Sequence, residues 1–146
     1  MAPSLAGVTA ARTIDASGRF VCPGLIDAHV HVADGMMPVS MPPRLAGIQS
    51  GVTTMVDAGS TGQRNYDAFR RYIVQPADTR IFTLLNIAAT GLAVLNELYV
   101  EPSQISAKRA LRAIRENRDL ITGLKARVRG RPETLEHDIE AMKVVR

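Results

Sequence analysis

Short apolar runs alternate along the chain with longer segments in which apolar residues recur every three or four positions. The short runs are typical of strands and the longer period is typical of helices, with glycine and proline between them. The predicted strands are residues 25–32, 52–58, 80–89 and 120–128. The predicted helices are residues 42–50, 66–74, 107–118 and 132–145.

Strands that alternate with helices predict an α/β protein with a parallel sheet and right-handed crossovers. Two arrangements satisfy this pattern, an open doubly wound sheet and part of a barrel. No GxGxxG or GxxxxGK[ST] motif follows any predicted strand, so the dinucleotide-binding and P-loop interpretations lose their main support. Upstream of the first strand, residues 13–22 predict a small hairpin with turn residues Asp15, Ser17 and Gly18.

The composition indicates one globular domain that does not bind nucleic acid. The 146 residues are 46% hydrophobic, which is enough to form a core. The net charge of +4 is spread along the chain, and six aromatic residues without a tryptophan argue against binding by base stacking. The most basic stretch, residues 107–118, predicts a solvated amphipathic helix more strongly than a phosphate-binding face.

The single cysteine, Cys22, excludes an intrachain disulfide. Because it precedes Pro23 and has no partner base nearby in the sequence, we expect a small buried apolar side chain and not a nucleophile. No apolar run approaches the length of a membrane-spanning helix. We therefore expect a cytoplasmic protein that has no membrane partner.

Two histidines stand at the end of the first predicted strand. His29 and His31 are two residues apart, so their side chains project to the same side of the strand. Neutral imidazole is a common zinc ligand, and α/β folds keep their sites at the carboxyl ends of their strands. The spacing by itself leaves open a pair of hydrogen-bonded interior histidines, because a metal site needs three or four ligands.

The segment PGLIDAHVH (23–31), preceded by DASGRFVC, resembles the entry to the first barrel strand of the amidohydrolase superfamily of metal-dependent hydrolases. The downstream blocks GVTTMVDAGS, RIFTLLNIA and ITGLKARV resemble its deacetylase-like and dihydroorotase-like subgroup. The resemblance runs from about residue 13 to residue 146. It implies a (β/α)8 TIM barrel of which residues 23–146 form the first four βα units, preceded in residues 1–22 by the remnant of a small β-sandwich.

The resemblance also implies a metal site and a reaction. It makes His29 and His31 ligands of the more buried of two metals, which we expect to be zinc. It makes Lys125 a lysine that reacts with carbon dioxide to form a carbamate bridging both metals; without the resemblance, a surface lysine would be the better interpretation. The implied reaction is hydrolysis of an amide or ester of a small-molecule substrate by a hydroxide held between the metals.

The family's remaining site residues are two further histidines and a general-base aspartate from later strands, which residues 1–146 do not contain. We therefore expect a truncated N-terminal portion that is inactive alone. A half barrel leaves sheet edges open, so we also expect it to form homo-oligomers or to associate through those edges.

Several other residues have less certain predicted roles. His137 is expected on the barrel exterior, Asp57 is expected either to contact substrate or to cap a loop, and Asp27 is expected either to support His29 or to make a structural hydrogen bond. Ala33 occupies the position at which dihydroorotases and hydantoinases carry an arginine, which favours the deacetylase-like subgroup. A cyclic-amide hydrolase and a non-catalytic interaction module remain the alternatives, with a doubly wound binding domain as a further one.

Overall fold

The computed structural model describes residues 7, 9–94, 104–128, 130, 132 and 135–145. The strands are β1 (Leu25–Val30), β2 (Val52–Asp57), β3 (Arg80–Asn86) and β4 (Ile121–Lys125). The α-helices are α1 (Pro43–Ala46), α2 (Tyr66–Phe69), α3 (Ala107–Glu116) and α4 (Leu135–Val145). A 3-10 turn (Ile48–Ser50) follows α1, and a π-helical segment (Arg70–Val74) continues α2.

The four strands form one parallel sheet in the order β1-β2-β3-β4. This sequential order has no switch point, which distinguishes it from a doubly wound sheet and is the order of barrel strands. The carboxyl ends of the strands meet at one edge, where Val30 pairs with Asp57 and Asn86 pairs with Lys125. Among the described residues, β1 and β4 each pair on one side only.

The hydrophobic core lies between the sheet and the helices that follow β2 and β3. Met55, Ile81 and Leu85 project from the sheet and are at most 2% exposed. Tyr66 and Phe69 of α2 are equally buried and stack edge to face with ring centroids 6.2 Å apart. The predicted α/β class is therefore confirmed, with side chains of α2 packed into the same cluster as the strands.

The basic helix α3 is amphipathic as predicted. Ala110 and Ala113 are buried against the core, whereas Arg109, Arg112 and Arg115 face solvent. The hydroxyl of Ser106 caps the helix by accepting a hydrogen bond from the Arg109 amide at 3.4 Å. In the part of the chain that the structure describes, no helix combines the length and the apolar character that crossing a membrane requires.

Two expectations upstream of β1 are wrong. Residues 13–22 contain the predicted turn, in which the Arg19 amide donates to the Ala16 carbonyl, but no strand forms in residues 9–24. Cys22 is exposed and not buried, because no described residue covers the extended segment in which it lies. The division at residue 22 between a sandwich remnant and the barrel stays a prediction.

Candidate metal centre

The two imidazoles predicted to bind metal lie beside each other at the carboxyl end of β1. The ring centroids of His29 and His31 are 5.5 Å apart and the ring planes are nearly perpendicular, at 85°. With zinc–nitrogen bonds of about 2.1 Å, two rings that share one ion have centroids about 5 Å apart. The spacing of the two rings therefore fits a shared cation. His29 is exposed, whereas His31 is half-buried.

The loop that follows β2 is organised by the buried carboxylate of Asp57. This side chain is 1% exposed and accepts hydrogen bonds from the Ser60 amide at 2.7 Å and from the Val32 amide at 2.9 Å. The second of these bonds ties the end of β2 to the segment immediately after His31. Of the two roles predicted for Asp57, these contacts correspond to the loop cap.

Ser60 connects this loop to the imidazole of His31. Its hydroxyl donates to Asp57 Oδ2 at 2.7 Å and lies 2.9 Å from His31 Nδ1. Burial lowers the pKa of the His31 imidazole, an effect that Asp57 opposes and that the charges of His29, Lys125 and Arg127 reinforce. A neutral ring is the form that binds a metal, so the environment of His31 favours the ligand state.

Lys125 reaches the same loop from the end of β4. A side chain at Gly59 would place its Cβ 2.6 Å from the Cβ of Lys125, so the lysine passes directly over the glycine. The Gly59 carbonyl accepts a hydrogen bond from Asn86 Nδ2 at 2.9 Å, which fixes the loop against β3. Successive loop residues thus contact the two predicted sites: Gly59 meets Lys125, and Ser60 meets His31.

The described residues supply part of a metal site. They contain no group of three or more histidine, cysteine, aspartate or glutamate side chains placed to hold an ion. The donor set here is two imidazoles with a neighbouring lysine, and it becomes a three-ligand set only when the lysine carries an added carboxylate. His29 and His31 also line a cleft of about 700 Å³ whose walls include Val39, Met41 and Leu45. This volume is within the usual range for small-molecule sites, about 300–1,000 Å³.

The remaining predicted residues do not join the pair of imidazoles. Asp27 accepts a hydrogen bond from the backbone amide of His29 at 2.9 Å, which corresponds to the structural bond predicted as its second alternative. His137 lies on α4, as predicted. Sequence reasoning missed Ser60. The aspartate three residues earlier is a signal for its bond to Asp57, since this spacing at a strand end predicts a side chain that closes a loop, but not for its contact with His31.

A family model described as "Amidohydrolase family" matches residues 12–98. This match includes both histidines and the loop that connects Asp57 to Ser60. The chain belongs to the amidohydrolase family. A deacetylase of Agrobacterium fabrum is 41% identical over 116 residues, which is 78% of this chain and 28% of the relative. A deacetylase of Enterococcus faecalis is 38% identical over 111 residues, or 76% of this chain and 30% of the relative.

Two solved structures of amidohydrolase-type enzymes resemble this chain. A dihydroorotase superimposes with a TM-score of 0.68 and 40% identity, covering 71% of this chain and 28% of that one. An adenine deaminase gives a TM-score of 0.72 with 34% identity, covering 83% of this chain and 33% of that one. The fold is therefore the first four βα units of a TIM barrel, as predicted. The chain spans under a third of the length of the curated deacetylases that it matches.

Proposed function

We propose that this amidohydrolase chain contributes half of the metal site of a deacetylase-like hydrolase, which cleaves an amide or ester of a small molecule. The observation that carries the proposal is the convergence of the His29 and His31 rings, 5.5 Å apart, at the carboxyl end of β1. The two deacetylases that are about 40% identical over most of the chain support the reaction class.

In this proposal each residue has a defined task. His29 and His31 would hold a divalent cation through neutral imidazole nitrogens. Lys125 would react through its free amine with carbon dioxide, forming an N–C bond and releasing one proton, and the resulting carbamate would supply an anionic oxygen ligand in place of an ammonium cation. When bound, a pair of zinc ions would polarise the scissile carbonyl and activate water at neutral pH.

The walls of the cleft beside the histidines are the proposed place for the apolar part of the substrate. Val39 and Met41 are 61% and 46% exposed there, so an apolar acyl group could cover them. A cytoplasmic location remains our prediction, supported by a single cysteine that has no intrachain partner.

A cyclic-amide hydrolase is the second candidate, because a dihydroorotase is among the similar structures and an L-hydantoinase of Paenarthrobacter aurescens is 63% identical over 27 residues. Position 33 argues against it. Ala33 is fully buried and uncharged, so it provides no cation for the carboxylate of a dihydroorotate-like substrate. Deacetylase-like chemistry is therefore the better proposal.

The experiment measures zinc bound to the 146-residue chain after equilibration with zinc and bicarbonate, followed by removal of free metal. We expect His29→Ala and His31→Ala to lose bound zinc, and Lys125→Ala to lose the zinc that depends on bicarbonate. His137→Ala is the matched control, because this histidine lies on α4. Equal zinc content in all four variants and the parent chain would remove the ligand assignment.

The reaction class is tested by offering the zinc-loaded chain an N-acetylated amine and, separately, dihydroorotate. We expect slow or undetectable release of acetate from the chain alone, because its described residues hold no cluster of three metal-binding side chains. Ring opening of dihydroorotate without release of acetate would favour the cyclic-amide candidate instead.

A further inference from the structure

Three hydrogen bonds around Asp57 determine where the proton of the Ser60 hydroxyl lies. The carboxylate accepts from two backbone amides, those of Val32 and Ser60, and from Ser60 Oγ at 2.7 Å. A carboxylate surrounded by donors has no proton of its own to give. The single hydroxyl proton of Ser60 is therefore directed to Asp57.

The same hydroxyl oxygen then faces His31 as an acceptor. Ser60 Oγ and His31 Nδ1 are 2.9 Å apart, which is a hydrogen-bond distance. The hydroxyl has only one proton, which it uses in the hydrogen bond to Asp57. The imidazole must therefore be the donor in this second hydrogen bond. His31 is therefore protonated on Nδ1, and in the neutral ring Nε2 carries the lone pair.

The backbone holds Ser60 in place independently of the histidine. The Ser60 carbonyl accepts from the Leu92 amide at 3.0 Å, and the next residue, Thr61, accepts from the Asn86 amide at 3.0 Å. Ser60 itself is 1% exposed, so water does not compete for its hydroxyl. The backbone of Ser60 is thus held by β3 and the following loop, and its hydroxyl is held by Asp57.

We propose that Ser60 is a positioning residue of the metal centre: held by Asp57, its hydroxyl keeps His31 in the tautomer whose Nε2 can donate to a metal. The inference rests on the proposed function in taking Nε2 as the donor atom. Groups that bind the second nitrogen of a ligating histidine fix its orientation and raise its basicity, and their loss typically weakens metal affinity about 10- to 100-fold.

The test observes the tautomer directly in the 15N-labelled 146-residue chain without added metal. Long-range 1H–15N spectra at mildly alkaline pH distinguish a protonated from an unprotonated ring nitrogen, and His→Ala variants assign the three histidines. We expect protonated Nδ1 and unprotonated Nε2 for His31. In Ser60→Ala we expect a gain of the form protonated on Nε2, and in Ser60→Thr, which keeps a hydroxyl, we expect the parent tautomer.

Ser40→Ala is the matched control. Its hydroxyl also lies in the segment after β1 but donates to the Ala33 and Met37 carbonyls, so we expect no change in His31. A parent chain with His31 protonated on Nε2 overturns the proposal even if no variant folds. Identical tautomers in the parent and Ser60→Ala also overturn it.

Zinc affinity separates this inference from the proposed function. We expect Ser60→Ala to bind zinc about 10- to 100-fold more weakly than the parent chain with the same stoichiometry. If the parent chain binds no zinc but its tautomer depends on Ser60, the proposed function fails and the positioning of His31 stands. If zinc binding depends on His31 but both the tautomer and the affinity are indifferent to Ser60, the positioning role fails alone.

Discussion

At the scale of single residues, Gly59 meets two requirements at once. Its φ of +81° lies in the left-handed region, which favours glycine, and an added Cβ would lie 2.6 Å from the Cβ of Lys125. Gly51 has a similar φ of +76° but has no atom within 4 Å of the position that a Cβ would take. A substitution at Gly51 therefore introduces backbone strain alone, whereas the same substitution at Gly59 adds a clash with Lys125.

We expect Gly51→Ala to lower the free energy of unfolding by about 1–2 kcal/mol through backbone strain. Gly59→Ala should cost about 1–3 kcal/mol more, because the methyl group must displace the Lys125 side chain. Urea denaturation followed by circular dichroism measures both losses. Equal losses at the two positions would contradict a packing role for Gly59 under Lys125.

Tyr66 is a buried phenol whose hydroxyl lies 2.8 Å from Thr83 Oγ1. Burial raises the pKa of Tyr66 to about 12. An unfolded tyrosine ionises near pH 10. Since the folded state retains the proton to higher pH, the stabilisation from this group is complete below about pH 10 and declines as the pH rises toward 12.

We expect Tyr66→Phe to flatten the alkaline decline of the free energy of unfolding. At neutral pH the same variant should lose about 1 kcal/mol, because Thr83 loses its hydrogen-bond partner. Tyr72→Phe is the control, since Tyr72 is 64% exposed and its replacement leaves the buried phenol intact. Denaturation curves of the three proteins at several alkaline pH values test this. An unchanged slope in Tyr66→Phe would be evidence against the assignment.

At the scale of elements, Arg70 joins the π-helical segment to the turn before β4. Its guanidinium binds both carboxylate oxygens of Asp119, at 2.9 and 2.8 Å, and also donates to Asn117 Oδ1 at 2.8 Å. The hydrogen bonds from Arg70 hold the pKa of the Asp119 carboxyl below its usual value. This contribution to stability is present above the ordinary aspartate pKa and is lost as the pH falls through the lowered value.

We expect Asp119→Asn and Arg70→Met each to remove the same acid-sensitive part of the free energy of unfolding. The double variant should lose no more of it than either single variant, because the two side chains act as one pair. Denaturation at several pH values between neutral and about pH 3 provides the comparison. An acid dependence that persists in Asp119→Asn would assign the effect to other groups.

The succession of elements could be predicted from the sequence, because parallel strands are apolar runs and the helices keep their period. Element ends were harder to predict. The third strand was expected to continue to residue 89, but strand pairing stops at Asn86. The side-chain amide of Asn86 donates to the Gly59 carbonyl and accepts from the Ala88 amide. The prediction of a hairpin over residues 13–22 was wrong, because turn residues alone do not provide a strand with a pairing partner.

The candidate site was predictable where it depended on a local motif. The spacing of His29 and His31 along one strand places their rings together without reference to the rest of the fold. The contact between His31 and Ser60 joins residues 29 positions apart and depends on how β1 and β2 are aligned. No local pattern around His31 could have predicted that contact.

At the scale of the whole molecule, β1 is an edge strand, which among the described residues pairs with β2 alone. Leu25 and Ile26 are 58% and 71% exposed, and Leu45 of α1 is 52% exposed. An edge strand with exposed apolar side chains is a site for pairing with another chain. We therefore retain the prediction that copies of this chain associate through a sheet edge.

We expect Ile26→Lys to weaken self-association, because a charge on an edge strand opposes pairing. Leu111→Lys is the control, since Leu111 is similarly exposed, at 51%, but lies on α3 and not on a strand. Sedimentation velocity over a range of concentrations measures the change. Equal association of the two variants would indicate that the edge of β1 is not the contact.

The sequential order β1-β2-β3-β4 has a consequence for synthesis on the ribosome. Each strand leaves the exit tunnel after the neighbour to which it hydrogen-bonds, so the sheet can grow by one βα unit at a time. Every strand pairs with the strand synthesised just before it. The loops that must close are therefore short, and the entropic cost of closing them is low. The strand made last is always the template for the next one.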